Sequence, residues 1–85
     1  MANHRSGNVD YVDTTDTSLA DVKDVCGIKY IGAASGTATV KSLSDGEILW
    51  QESGTANVFN EVEIRDQAGI EVEVTNSAAV FVYRK

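Results

Sequence analysis

The sequence predicts an all-β protein: a small antiparallel β-sandwich, Ig-like or jelly-roll-like, with about six or seven strands and an extended N-terminal arm. Three observations indicate this fold class. Apolar and polar residues alternate in short segments, turn residues separate these segments at spacings of about 8–12 residues, and no segment has a convincing helical period. The length of 85 residues allows one domain with one core.

Six strand segments follow one another after residue 24. They are residues 25–33, 37–43, 47–52, 55–65, 70–75 and 78–85. In residues 70–75 the alternation is clearest, because Ile70, Val72 and Val74 share one face and glutamates occupy the other. Asp45 and Gly46 provide the strongest turn signal, since this pair supplies the positive φ that tight hairpins need.

Two of these segments depart from simple alternation. In residues 55–65, Phe59 lies on one phase whereas Val62 and Ile64 lie on the other, which predicts a bulge or two strands that meet near Asn60. Residues 78–85 are apolar on both faces. We therefore expect this last strand to be central in the fold or covered by another chain.

The inward-facing positions predict the hydrophobic core. We expect it to contain Ile28, Val40, Val62, Ile64, Val72, Val74 and Val82. Cys26 is the only cysteine, so no intramolecular disulfide can form. It lies in an apolar run, and we expect it to be a buried small apolar residue on the same face as Ile28 and Tyr30.

The N-terminal segment differs in composition from the remainder. Residues 8–24 carry five aspartates and four Thr or Ser residues and sustain no regular period. We therefore expect an extended arm over residues 1–24 and a β-sandwich domain over residues 25–85. Four apolar side chains of the arm are spaced as anchors for a partner: Val9, Tyr11, Val12 and Leu19. The alternative is that the arm forms the first strand of the sandwich.

The net charge of −6 limits the classes of partner. Thirteen acidic residues against seven basic ones argue against nucleic-acid binding and against binding to an anionic membrane. Residues 1–8 show no apolar stretch of the kind found in a signal peptide, so we expect synthesis in a cytoplasm.

Residues capable of catalysis or metal binding are few. His4 is the only histidine and lies in the polar arm, where no Ser-His-Asp arrangement can be built on it. Asp10, Asp13 and Asp16 lack the spacing of a calcium loop. Four glutamates are expected on the outward faces of neighbouring strands, without the cleft that glycosidase chemistry needs: Glu61, Glu63, Glu71 and Glu73. We expect no enzymatic activity, no metal site and no cofactor.

Trp50 is the only tryptophan and lies in the middle of a predicted strand. Packing in the core or at a subunit interface accounts for a tryptophan in this position. The alternative is a platform for stacking sugars, with Tyr30 beside it, in a carbohydrate- or receptor-binding module.

The order of turns and strands in residues 25–85 resembles a known group of proteins. The relevant stretches are IKYIGAASGTATVK, SLSDGEILW, VEIRDQAGIEVEV and the closing TNSAAVFVYRK. They are similar to small β-sandwich structural proteins of tailed-phage virions, including capsid decoration (cement) proteins.

This resemblance implies a non-enzymatic virion protein that stabilises the head shell. It implies a homo-oligomer, with a trimer favoured, that contacts the major capsid protein or another virion protein. The protein would be made in the host cytoplasm and reside in the virion. A component of the tail, neck or fibre is the alternative within the same group.

Overall fold

In the computed structural model, which describes residues 3–85, nine β-strands and no helix are found over that range. The strands are β1 (His4–Ser6), β2 (Val9–Val12), β3 (Asp16–Leu19), β4 (Val25–Ile31), β5 (Thr37–Ser42), β6 (Ile48–Ser53), β7 (Val58–Ile64), β8 (Ile70–Thr75) and β9 (Ala79–Arg84). The all-β prediction is confirmed. The six strands predicted after residue 24 are all present, and three short ones precede them.

The strands form two sheets with antiparallel pairing throughout. The five-stranded sheet has the order β1-β2-β9-β4-β7, and the four-stranded sheet has the order β3-β8-β5-β6. Buried side chains from both sheets join in a single cluster, as expected for a β-sandwich. Consecutive strands often change sheet, so neighbours within a sheet are mostly distant in sequence.

The expected arm is largely part of the sandwich. β2 pairs with β9, and β3 pairs with β8, so this segment supplies strands to both sheets. Val12 and Val22 are 1% exposed and Leu19 is 8% exposed. The separate arm over residues 1–24 is therefore a wrong prediction for the described part of that segment, and the alternative of a first strand is nearer to the structure. Met1 and Ala2 lie outside the described residues.

Polar contacts fasten the N-terminal strands to the rest of the fold. Arg5 Nε lies 2.6 Å from Asp10 Oδ1, and Arg5 Nη1 lies 2.6 Å from Asp21 Oδ2. Asp10 is buried, and its Oδ2 lies 2.9 Å from Arg84 Nε. Since Asp10 belongs to the five-stranded sheet and Asp21 follows β3, Arg5 links the two sheets at this edge. The buried carboxylate is compensated by two guanidinium groups, which a buried charge requires.

The predicted core is present between the sheets. Five of its seven predicted residues are buried: Ile28, Val40, Ile64, Val72 and Val82. Val62 and Val74 are partly buried and pack against the same cluster. The largest fully buried side chain is Tyr30, whose hydroxyl lies 2.8 Å from Gly54 O and 3.0 Å from Gly36 O and can donate to either.

Cys26 is exposed, which corrects the expectation that it is buried. Val25 pairs with Arg84 and Gly27 pairs with Tyr83, so Cys26 is an extra residue in β4 relative to β9. Such a bulge shifts the alternation by one residue. Val25 and Ile28 therefore both face inward, and Cys26 faces solvent.

The two irregular segments have simple explanations. β7 is one continuous strand, so no pair of strands meets near Asn60, and Phe59 faces outward while Val62 and Ile64 face inward. The bulge alternative is nearer to the structure, because two residues of β7, Val62 and Glu63, lie opposite the single residue Cys26 of β4. β9 lies at the centre of its sheet, between β2 and β4. This agrees with the expectation that a strand apolar on both faces is central in the fold.

The glutamates of β7 and β8 do not lie on neighbouring strands, because the two strands belong to different sheets. Glu73 instead meets Lys41 of β5, whose Nζ lies 2.9 Å from Glu73 Oε1. Over residues 3–85, the fold offers no helix of a length and apolarity that would cross a membrane.

Candidate binding face

The outward surface of the five-stranded sheet carries most of the aromatic side chains. Residues that pair directly across antiparallel strands point to the same face. The pairing therefore arranges two adjacent rows across this face. The first row, from β1 to β7, is His4, Tyr11, Phe81, Lys29 and Phe59, and the second is Ser6, Val9, Tyr83, Gly27 and Glu61. These ten residues are called the aromatic face below.

The aromatic rings of this face pack in two pairs. The ring centroids of Tyr11 and Phe81 are 4.9 Å apart with planes tilted by 50°, and those of Phe59 and Tyr83 are 5.8 Å apart in an edge-to-face arrangement of 74°. Both distances are in the range in which aromatic pairs attract each other. A Cβ atom on Gly27 would lie 2.8 Å from Phe59 Cζ, so the absence of a side chain there lets the Phe59 ring lie over β4.

Phe59 nevertheless remains 55% exposed. Tyr11, Phe81 and Tyr83 are partly exposed. Burial raises the pKa of the Tyr11 phenol above its ordinary value, and the nearby charge of Asp13 raises it further, so this hydroxyl stays protonated at neutral pH. A single chain therefore presents a continuous aromatic surface to solvent, which in soluble proteins marks a site of interaction.

The outward surface of the four-stranded sheet has a different character. Gln51 Nε2 donates a hydrogen bond of 3.0 Å to Thr39 Oγ1, and the Lys41–Glu73 ion pair crosses between β5 and β8. The hydrogen bond from Lys41 to Glu73 raises the pKa of the lysine. Ile48 is 56% exposed on this surface. The aromatic residue of the same strand, Trp50, packs inward against the core. The two faces of the sandwich therefore differ: one is aromatic and the other polar.

The predicted partner-binding residues fall into two groups. Val9 and Tyr11 lie on the aromatic face and are partly exposed. Val12 and Leu19 point into the core of their own subunit, so they cannot serve as anchors for a partner. The alternation of β2 separates the two groups, because Tyr11 and Val12 are consecutive and must face opposite sides.

Trp50 is partly buried and packs against the core cluster, which agrees with the expectation of packing in the core. Tyr30 is fully buried, and its hydroxyl is engaged with backbone carbonyls. A sugar platform made of Trp50 and Tyr30 is therefore excluded, because no sugar can reach the Tyr30 ring.

A cavity of about 140 Å³ lies beside the β1–β2 hairpin and β3. Its charged groups are already paired with one another: Arg5 with Asp10, and Asp16 with Ser18 and Asn3. Burial opposes ionisation of Asp16, but hydrogen bonds from Ser18 and Asn3 prevail and lower its pKa. No group of three or more His, Cys, Asp or Glu residues in residues 3–85 could hold a metal ion.

Sequence reasoning missed the central part of the aromatic face. Phe59, Phe81, Tyr83 and Lys29 were not singled out as site residues. The signals were present, because Phe59 lies out of phase with the core of β7 and β9 is apolar on both faces. Only the sheet order places these strands two apart, with β4 between them, and so brings their outward side chains together.

Comparisons with known proteins provide no relative. No family model, no curated protein and no solved structure matches this chain. The properties of the aromatic face therefore carry the functional argument.

Proposed function

We propose that this chain is a non-enzymatic structural protein that acts by packing against other protein subunits through its aromatic face. The observation that carries this proposal is a sandwich face on which Tyr11, Phe81, Tyr83 and Phe59 form a surface that the chain itself does not cover. Protein interfaces are enriched in aromatic residues, particularly at their centres.

The more specific form of the proposal is a capsid decoration protein of a tailed-phage virion, and it rests on the resemblance of residues 25–85. A small subunit can stabilise a shell because weak contacts repeated over many copies give high avidity. The partners would be other copies of the chain and the major capsid protein. A tail, neck or fibre location is the alternative within the same proposal.

The test uses the full chain and DNA-free expanded head shells of the phage that encodes it, prepared from the major capsid protein alone. We expect the chain to co-sediment with these shells. Phe59→Ser should weaken co-sedimentation by about tenfold or more, because Phe59 supplies the most exposed aromatic surface of the face. The matched control is Ile48→Ser, which removes an equally exposed apolar side chain from the opposite sheet.

The proposal predicts full binding by the Ile48→Ser variant. Failure of the parent chain to co-sediment at high micromolar concentration would reject the capsid role. Equal weakening by both variants would reject the aromatic face as the contact surface. Binding to a glycan array in place of the shells would support the carbohydrate-binding alternative.

A further inference from the structure

We infer that the subunit covering the aromatic face is a second copy of this chain, packed face to face about a two-fold axis. This inference rests on the proposed use of the aromatic face for contacts between subunits. The dimer would attach to a shell through its other surfaces, and Phe59→Ser would weaken attachment by separating two copies that bind more tightly together than singly. The inference adds the identity of the partner and the register of the contact. Three properties of the face support it: its layout in two rows, its charges and its size.

The two rows are complementary to each other. A two-fold axis that runs across the strands, between the rows, places the first row of one copy over the second row of the other. Phe81 then lies over Tyr83 of the second copy, and Tyr11 lies over Val9 of the second copy. Every contact occurs twice, as an isologous interface requires. In the same register Lys29 lies over Gly27 of the second copy, and Phe59 lies over Glu61.

The charges of the face agree with the same register. Lys29 and Glu61 lie on adjacent strands, one in each row, at diagonal positions. The two-fold axis brings Lys29 of each copy beside Glu61 of the other and places no like charges opposite each other. This matters because the chain carries a net charge of −6, and on the outward face of β8 one cation, Lys41, faces two carboxylates, Glu71 and Glu73, so two such faces would repel each other.

The size of the face suits an interface that uses it completely. The two longest dimensions of the molecule are 32 and 26 Å. A face that spans both dimensions would offer at most roughly 800 Å² in projection, which is about the area that each partner contributes to a protein interface of standard size. The two rows cross five strands that lie about 4.8 Å apart and cover roughly 300 Å², so the dimer reaches the standard area only if the outward side chains beside the rows also take part.

The experiment is sedimentation velocity on the full chain at concentrations from about 1 μM to 1 mM. We expect the parent chain to form dimers. Lys29→Glu and Glu61→Lys should each weaken dimerisation by about tenfold or more, because each change places like charges together twice in one dimer. High salt should reduce the difference between parent and variants.

Mixing the two variants provides the decisive measurement. In a mixed dimer, position 29 of one copy meets the opposite charge at position 61 of the other at both contacts. Equimolar Lys29→Glu and Glu61→Lys should therefore associate with each other more tightly, by about tenfold, than either does with itself. The controls are Lys23→Glu and Glu47→Lys, which change the net charge equally at exposed positions away from the face.

The outcomes separate this inference from the proposed function. A parent chain that stays monomeric, or forms a trimer, overturns the two-fold contact, even if it binds head shells. A dimer that the Lys29 and Glu61 changes leave unaffected, or that mixing does not restore, overturns the register. A dimer with the expected mixing behaviour that does not bind shells supports this inference and rejects the capsid role.

Discussion

Deletion of residues 1–20 should abolish folding, because this segment supplies strands to both sheets. The deletion removes β1, β2 and β3. β9 then loses its pairing with β2 along Val9 to Val12, and β8 loses its pairing with β3. The buried Asp10 is removed as well, which leaves Arg84 without its carboxylate partner.

The size of the effect follows from the buried side chains. Val12 and Leu19 are almost completely buried, and burial of each contributes about 1.5–3 kcal/mol, or roughly 3–6 kcal/mol together. A domain of this length has a net stability of about 4–13 kcal/mol, at roughly 0.05–0.15 kcal/mol per residue. The deletion also exposes the core surface that these side chains cover, so the total loss is comparable with the whole stability.

Far-UV circular dichroism and thermal unfolding provide the assay. The truncated chain should lack a cooperative transition. Full-length Val12→Ala/Leu19→Ala should unfold cooperatively but be less stable by about 3 kcal/mol or more, which lowers its Tm by more than about 12 °C. The control Thr17→Ala, at an exposed position of β3, should change stability by no more than about 0.5 kcal/mol.

A truncated chain with a cooperative transition and a Tm close to that of the full chain would refute this reasoning. It would show that residues 1–20 add little to the stability of the sandwich, as the separate arm predicted from composition requires.

Two further predictions concern a glycine and an ion pair. Gly32→Ala should lower the free energy of unfolding in urea by at least about 2 kcal/mol, because the new Cβ would lie 2.5 Å from the backbone carbonyl oxygen of Thr55. Gly27→Ala should lower it by less, because the new Cβ would meet the end of the exposed Phe59 ring. Equal losses would contradict this distinction. The hydrogen bond from Arg5 lowers the pKa of Asp21 below 3.8, so the folded state binds fewer protons in acid and this contribution to stability is lost as the pH falls below about 4. Asp21→Asn should therefore reduce the fall in Tm between pH 5 and pH 2, and an unchanged pH profile would count against the ion pair.

Local patterns in the sequence predicted the elements after residue 24. The alternation of residues 70–75 identifies β8 and the face that it buries, because side chains of a strand alternate with a period of two. Asp45 and Gly46 identify the β5–β6 hairpin, and Gly46 has a φ of +76° that favours glycine. Both predictions depend only on neighbouring residues.

The N-terminal strands were missed for a physical reason. β1, β2 and β3 have three or four residues each, which is too short for an alternating pattern to stand out from a polar background. β2 and β3 are stabilised by pairing with β9 and β8, more than 50 residues away in sequence, and β1 pairs with β2. The aspartates that led to the prediction of an extended arm include Asp10, whose burial depends on its ion pairs with Arg5 and Arg84.

The sequence by itself determined the fold class, most of the core and the turns, since these depend on short-range alternation and on the conformations that single residues prefer. Tertiary structure decided which strands became neighbours. Phe59, Phe81 and Tyr11 come from three strands spread over more than 70 residues, and the sheet order alone places them on one face with Lys29. Strand pairing between distant segments depends on the packing of the whole chain, so no local pattern could reveal this face.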